Sequence, residues 1–377
     1  MKVRTFRLND AKFSNWKEIE NRWNYEDFIR DKTWRTKWTS FDCCHYVCET
    51  GLLYLGVTSF NGDIFTCFDR KTESFFDCGY SRIRAPYDAK FHRSLEYWEK
   101  DRCIYGAVAL LHDIDHYWDA PGGAIVRFDP ASGDIAKLCI PMPHNYIQTI
   151  RLDQKTGVIY GLTLIPERLF AFDIASHHIT DIGPVGSCGA FAQGENIEID
   201  GLGRVWFGWN VLRAWQPSPG PDSNRLARYD PGERKIVYFN NGLETQDGSY
   251  GFVKVEGLFN LAGKMFASGG NGSIYKIDVE TGHGKYLGTP ISSQRSRLAS
   301  LRMGPDGYAY GVAGRDGACH LLRFDPRTEQ YEILGPVESN GEKCWQVHDI
   351  AVTPDGVVFA CENDNPERSG YLWEITL

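Results

Sequence analysis

The chain lacks any apolar run long enough to span a bilayer, and its first residues, Met1-Lys-Val-Arg-Thr-Phe-Arg7, lack the hydrophobic centre of a secretory leader. A cytoplasmic, soluble protein without a membrane partner is expected. An excess of positive charge is also missing. Lys and Arg number 41 against 49 Asp and Glu, a net charge of −8. Binding to nucleic-acid phosphates needs a positive footprint, so a nucleic-acid partner is not expected. An anionic ligand would need a local arginine cluster.

The cysteines number eleven, an odd count, scattered through strand-like segments such as those around Cys67, Cys103 and Cys361. That usage suits buried, reduced thiols better than a disulfide framework. No P-loop, dinucleotide fingerprint or EF-hand loop is found. Val185-Gly186-Ser187-Cys188-Gly189 is no nucleophile elbow, because Val185 stands where the first glycine belongs.

What the chain does have is a phrase repeated seven times: a Gly-led aromatic strand signal, a variable gap, then an apolar-aromatic-Asp strand and a turn. Copies run from Gly51-Leu-Leu-Tyr54 to Cys67-Phe-Asp69, Cys103-Ile-Tyr105 to Arg127-Phe-Asp129, and Gly157-Val-Ile-Tyr160 to Ala171-Phe-Asp173. Others run from Gly203-Arg-Val-Trp206 to Arg228-Tyr-Asp230, Gly263-Lys-Met-Phe266 to Lys276-Ile-Asp278, and Gly307-Tyr-Ala-Tyr310 to Arg323-Phe-Asp325. The last joins Gly356-Val-Val-Phe359 to Tyr371-Leu-Trp-Glu374. From Asp69 to Asp325 the mean step is about 51 residues, a propeller blade in the kelch-like range. One blade cannot bury both faces, so the repeats predict a single all-β domain over residues 1–377, a closed seven-bladed β-propeller. Aromatic content of 14% with 39 Gly fits short strands and tight turns, including Pro305-Asp306-Gly307 and Pro354-Asp355-Gly356.

The final strand, Tyr371 to Leu377, has no blade after it. Ring closure is therefore expected from the N-terminal Lys2 to Arg7 pairing as an added strand of the last blade. Residues 11–39, rich in Trp, Arg and Lys, fit no blade and are expected to cover one face, with a short helix over Trp23 to Asp31.

With strands named A to D from the axis outward, D-to-A and B-to-C connections open on one face, where function is sought. Two B-to-C connections are long: His112 to Gly123 in blade two and Asn210 to Asn224 in blade four. They are either tolerated insertions or walls of a cleft. Tyr117, Trp118 and Trp215 favour the cleft, since flat apolar rings stack on sugars.

Four histidines are expected at the start of a strand A, lining the channel: His45, His92, His144 and His348. A fifth, His112, ends strand B of blade two. They could transfer protons, with His92 and His112 as the main pair, bind a metal, or serve as hydrogen-bonded channel residues. His112 and His116 have the spacing of a zinc pair without the helix that would align them. Cys43, Cys44, His45 and Cys48 lie on a strand that turns neighbours to opposite faces. No metal ligand is assigned.

The runs Ala89-Lys-Phe-His92-Arg-Ser, Ile104-Tyr-Gly106, His112, Ala120-Pro-Gly-Gly-Ala-Ile-Val-Arg-Phe-Asp129 and Val158-Ile-Tyr160-Gly-Leu-Thr163 resemble the seven-bladed propeller polysaccharide lyases. The likeness is to the ulvan lyase and L-rhamnose-α-1,4-D-glucuronate lyase type. Val347-His348-Asp349-Ile and Glu362 to Trp373 are similar to the last blade of the latter.

The resemblance implies a carbon-oxygen lyase that cleaves a glucuronate linkage by β-elimination in an acidic oligosaccharide, leaving an unsaturated uronate. It implies His92 and His112 as catalytic histidines, Tyr160 as base or acid, and Arg168 as the carboxylate-neutralising group. The family's arginine lies farther beyond the tyrosine, where Ser176, His177 and His178 stand here. Arg295, Arg297 and Arg368 also reach the mouth by topology and join His45, His144, Tyr117, Trp118, Trp215 and His348 as expected substrate-binding residues. No cofactor is required, and a structural calcium or other divalent ion is left open. Two other readings stay open, a non-catalytic binding propeller and a metal-dependent hydrolase or lactonase.

Overall fold

The structure, a computed structural model, describes residues 1–13, 30–60, 63–111, 114–164, 166–186, 197–210, 215, 223–248, 251–292 and 296–377. Within these residues, seven four-stranded antiparallel sheets succeed one another along the chain. Blade one comprises Thr39–Val47, Leu52–Ser59, Phe65–Asp69 and Ser74–Asp77. Blade two has Asp88–Trp98, Cys103–Leu110, Ile125–Asp129 and Asp134–Cys139. Blade three has Tyr146–Asp153, Val158–Leu164, Arg168–Asp173 and Ile179–Pro184. Blade four opens with the short Glu198–Ile199, then Val205–Trp209, Arg225–Asp230 and Lys235–Tyr238. Blades five and six have inner strands Val255–Leu261 and Leu298–Met303. Blade seven is Val347–Val352, Val358–Glu362 and Leu372–Thr376, completed by Lys2–Phe6.

The closure runs in register from Lys2 opposite Thr376 to Phe6 opposite Leu372. It gives the outer edge of the last blade a partner, as the sequence predicts. Arg4 donates to the buried Glu374 carboxylate across it at 2.8 Å.

The recurring Asp of the phrase has a local cause. At the end of strand C its carboxylate accepts backbone N–H bonds from the turn that follows. Asp69 receives Lys71, Asp129 receives Ala131, Asp230 receives Gly232, Asp278 receives Glu280 and Asp325 receives Arg327, all at 2.8–3.0 Å. These Asx turns start strand D without costing a ladder bond.

The core is divided among the blade interfaces. Phe65 and Tyr80 of blade one pack with Phe91 and Phe128 of blade two. Comparable clusters join each later pair, and Phe41 and Phe68 of blade one meet Phe359 and Leu372 of blade seven. Each sheet buries both faces only because it has two neighbours.

Residues 11–13 and 30–38 lie against one face. Asp31 caps the helix Lys32–Lys37 by accepting from the N–H groups of Thr33 and Trp34. Trp34 is fully buried, with Phe13 at 4.4 Å and Trp38 at 5.4 Å between ring centroids, and Trp38 stacks on Phe60. The helix expected over Trp23 to Asp31 falls almost wholly outside the described residues.

Candidate functional site

The inner strands are irregular, and the irregularity recurs. Pairing of strand A with strand B shifts between Phe41 and Cys43, Phe91 and Leu95, Ile147 and Thr149, Val255 and Gly257, Leu298 and Leu301, and Val347 and Asp349. The residues left between those pairs are Asp42, His92 to Ser94, Gln148, Glu256, Ala299 with Ser300, and His348. A bulge re-aims a side chain and frees backbone groups from the ladder. Here residues of the bulges bond to one another, between neighbouring blades and across the axis. His92 Nδ1 lies 2.7 Å from the Gln148 carbonyl oxygen. Arg93, at φ 44°, donates 2.9 Å to the Glu256 carbonyl and 2.8 Å to its carboxylate.

Three cavities follow one another along the inner strands. The first, of about 100 Å³, is lined by Asp42, Lys90, His92, Arg297, His348, Asn363 and Asp364, near the starts of strands A. The second, about 20 Å³, holds ion-paired groups, with Arg151 to Glu96 at 2.7 Å and Arg302 to Asp349 at 3.2 Å. The third, about 230 Å³, lies at the far ends and includes His45, Arg151 and Arg302.

In the first cavity the His92 and His348 rings meet nearly edge to face, with centroids 4.6 Å apart. Because a carbonyl only accepts, the His92 contact puts a proton on Nδ1 and leaves Nε2 as the basic nitrogen of the neutral ring. His348 Nδ1 stands 3.3 Å from Asp42 Oδ1. Burial pushes the Asp42 carboxyl up to about 7, opposed by nearby Lys90 and by the Thr58 hydroxyl that donates to it. Arg297 donates from Nε to Glu256 at 2.6 Å. Lys90 forms no ion pair among the described residues, so of the two cations in this lining, Lys90 and Arg297, its ammonium is the less committed to the scaffold.

Of the residues expected at the mouth, the structure brings together His92, His348 and Arg297. The other described ones stand elsewhere. His45 is the seventh residue of Thr39–Val47 rather than near its start, which carries it to the far cavity, where burial and Arg302 lower its pKa to about 4. His144 precedes strand A, at φ 64°, with Nδ1 2.9 Å from the Ala120 carbonyl and its ring 5.2 Å from Trp118. Tyr117 donates to Asn145 at 3.0 Å, and Trp118 and Trp215 are exposed. His112 and Arg295 lie outside the described residues.

Tyr160 is separated from the histidines. It pairs with Arg151 near the far end of strand A and packs between blades three and four, 6.2 Å from Tyr229. Arg168 turns outward along its sheet to Asp181 at 2.6 Å, so it does not neutralise a ligand at the axis. Arg368 is buried against Glu362, at 2.7 and 3.0 Å, beneath the Tyr371 ring. It holds a loop rather than facing the opening. Asp42 and Glu256 carry no signal in the sequence because inner-strand bulges follow from pairing register, and Lys90, Asn363 and Asp364 join the lining only through the packing of neighbouring blades.

The cysteine reading is met in part by geometry. Cys43 donates to the Phe91 carbonyl at 3.4 Å toward blade two, while Cys44 packs with Cys361 toward blade seven. Neighbours therefore face opposite sides. Among the described residues no cluster of three His, Cys, Asp or Glu is placed to hold a metal ion.

No protein-family model matches the chain, and no curated protein matches it in sequence. Among solved structures, the RRP9 WD40 repeats are similar at TM-score 0.60 and 7% identity, with 100% of both chains covered. The fold is a WD40-like seven-bladed propeller. An extracellular domain assigned to a hybrid two-component system of B. thetaiotaomicron is similar at TM-score 0.53 and 12% identity, over 89% of this chain and 40% of that one. At these identities the likeness is one of fold alone.

Proposed function

We propose that the first axial cavity is the active site of a lyase that eliminates at a uronate in acidic oligosaccharides. The observation that carries this reading is the His92–His348 pair beside Lys90 and Arg297. Elimination needs three things at one place: a base for the C5 proton, an acid for the O4 leaving group, and positive charge against the carboxylate as the enolate-like state grows. In the proposed step, His92 Nε2 takes the C5 proton, the C4=C5 bond forms, the C4–O4 bond breaks, and O4 leaves with a proton from His348. Lys90 and Arg297 face the carboxylate. The resemblance around His92 supplies the substrate class, and Tyr160 has no part in this version of the chemistry.

The test is to mix the protein with rhamnosyl-glucuronate and ulvan oligomers and watch for the ultraviolet absorbance of the unsaturated uronate. Product that disappears in His92→Ala supports the reading; no product from any uronate oligomer counts against it. A second reading, binding without turnover, is favoured by Arg297 being engaged by Glu256. It predicts heat of binding by calorimetry with the oligomer recovered intact.

A further inference from the structure

Three blades lack a strand C cation found in the other four, and in one of them, blade three, a cavity of about 800 Å³ opens at that position, against blade four. Opposite the strand B aromatic, strand C carries a long cation in four blades. Tyr105 faces Arg127, Trp206 faces Arg228, Phe266 faces Lys276 and Tyr310 faces Arg323. Each cation is engaged. Arg127 Nε lies 3.8 Å from Asp101 Oδ2, Arg228 lies 5.7 Å from the Trp206 ring, Lys276 pairs with Glu329 at 2.6 Å, and Arg323 sits 4.8 Å from the Tyr308 ring. In blade one Cys67 takes this place and is packed in the core with Cys78, and in blade seven Glu374 takes it and is met by Arg4. In blade three the residue facing Tyr160 is Ala171, and the next one outward is Thr180.

The phenols there are also left without the partners seen elsewhere. Tyr105 donates to Asp101 at 2.5 Å and Tyr310 to Asp306 at 2.6 Å. Tyr160 and Tyr229, 5% and 8% exposed, line the cavity, and neither hydroxyl has a hydrogen-bond partner among the described residues. Asp173, also in the lining, is kept ionised by the Ser176 N–H and hydroxyl. Both rings are packed while their hydroxyls open into the cavity, where a donor-rich planar cation would find two acceptors.

We propose that this cavity between blades three and four binds a ligand guanidinium, which takes the place that an arginine side chain fills in blades two, four and six. Its N–H groups meet the Tyr160 and Tyr229 oxygens and its charge faces Asp173. Arg234 and His178 at the rim suit a carboxylate on the same ligand, as in free arginine or a peptide ending in arginine.

Calorimetry or ligand-observed NMR with the intact protein tests this using arginine, agmatine, citrulline and an arginine-terminated dipeptide. Arginine is expected to bind at least tenfold more tightly than citrulline, which keeps the shape and loses the charge. Agmatine weaker than arginine assigns the rim to a carboxylate, and the dipeptide distinguishes a free amino acid from a chain end. Ala171→Arg should fill the cavity from within and lower arginine affinity at least tenfold, with a melting curve to show that it folds. Equal binding of citrulline and arginine, no arginine binding, or binding that survives in folded Ala171→Arg would overturn the proposal.

Discussion

His92 Nδ1 and the Gln148 carbonyl oxygen lie 2.7 Å apart, each in the bulge of its own inner strand. The contact fixes the imidazole tautomer with a backbone group, whose acceptor character no side-chain substitution alters. His92→Ala is therefore expected to remove the base and cut turnover of a uronate oligomer about 10²–10⁴-fold. His348→Ala should fall in the same range if it is the acid. Both are measured as initial rates of unsaturated product. Gln148→Ala should leave the rate within about threefold, because only the backbone of Gln148 holds the ring; a loss as large as that of His92→Ala would refute that account of the tautomer.

Lys90→Met tests the carboxylate partner. If Lys90 meets the uronate, loss should be about 10–100-fold, recovered in part by Lys90→Arg, and a neutral sugar ligand should be bound equally by all three proteins. Rates and affinities together separate a charge effect from a packing effect.

Asp42 makes stability depend on pH in an unusual direction. Its folded pKa, raised by burial to about 7, lies above the ordinary carboxyl value of 3.8, so the folded state holds a proton that the unfolded chain gives up between the two. Its contribution is most favourable below 3.8 and is lost as pH rises through about 7. Asp42→Asn should stabilise the protein at pH 8 by on the order of 2 kcal/mol or more and converge with the wild type near pH 4. Urea unfolding across pH checks this, and a wild-type advantage at pH 8 would contradict it.

His45 acts with the opposite sign. Its folded pKa, about 4, is below the usual 6.5, so stability is lost as pH falls from 6.5 toward 4, where the unfolded imidazole takes a proton first. His45→Gln should flatten that acid limb. Nuclear magnetic resonance titration of the wild-type ring should show no protonation down to about pH 5.

Much of the ring was legible in the sequence because the repeated features have local causes. Asp129 and Asp325 each close an Asx turn, and the aromatic at Tyr105 or Phe359 must fill a blade interface, so spacing fixes the blade number, while closure follows from the last strand needing the partner that Lys2–Phe6 supplies. The site was legible only in part. His92 and His348 come together because Phe91/Leu95 and Val347/Asp349 are bulged, a property of pairing between strands. Tyr160 was misplaced because a strand B aromatic has a fixed height in its blade, and that height is the far end of the channel from His92. Arg368 was misassigned because topology brings its backbone to the right face while Glu362 takes its charge inward.

Arg368 gives the sharpest contrast between a structural and a ligand-binding role. Glu362 is fully buried and accepts from both Arg368 amino groups, the Tyr371 and Trp345 N–H groups and the Trp373 indole. Removing the guanidinium strands that carboxylate in a low-dielectric setting, which costs about 3–5 kcal/mol. Arg368→Ala should therefore lower the denaturation midpoint sharply. Arg368→Ala with Glu362→Gln should recover part of the loss, because the remaining neutral amide needs no counter-charge. A residue whose role was to hold substrate would behave differently: Arg368→Ala would raise KM at unchanged stability, and the second substitution would recover nothing.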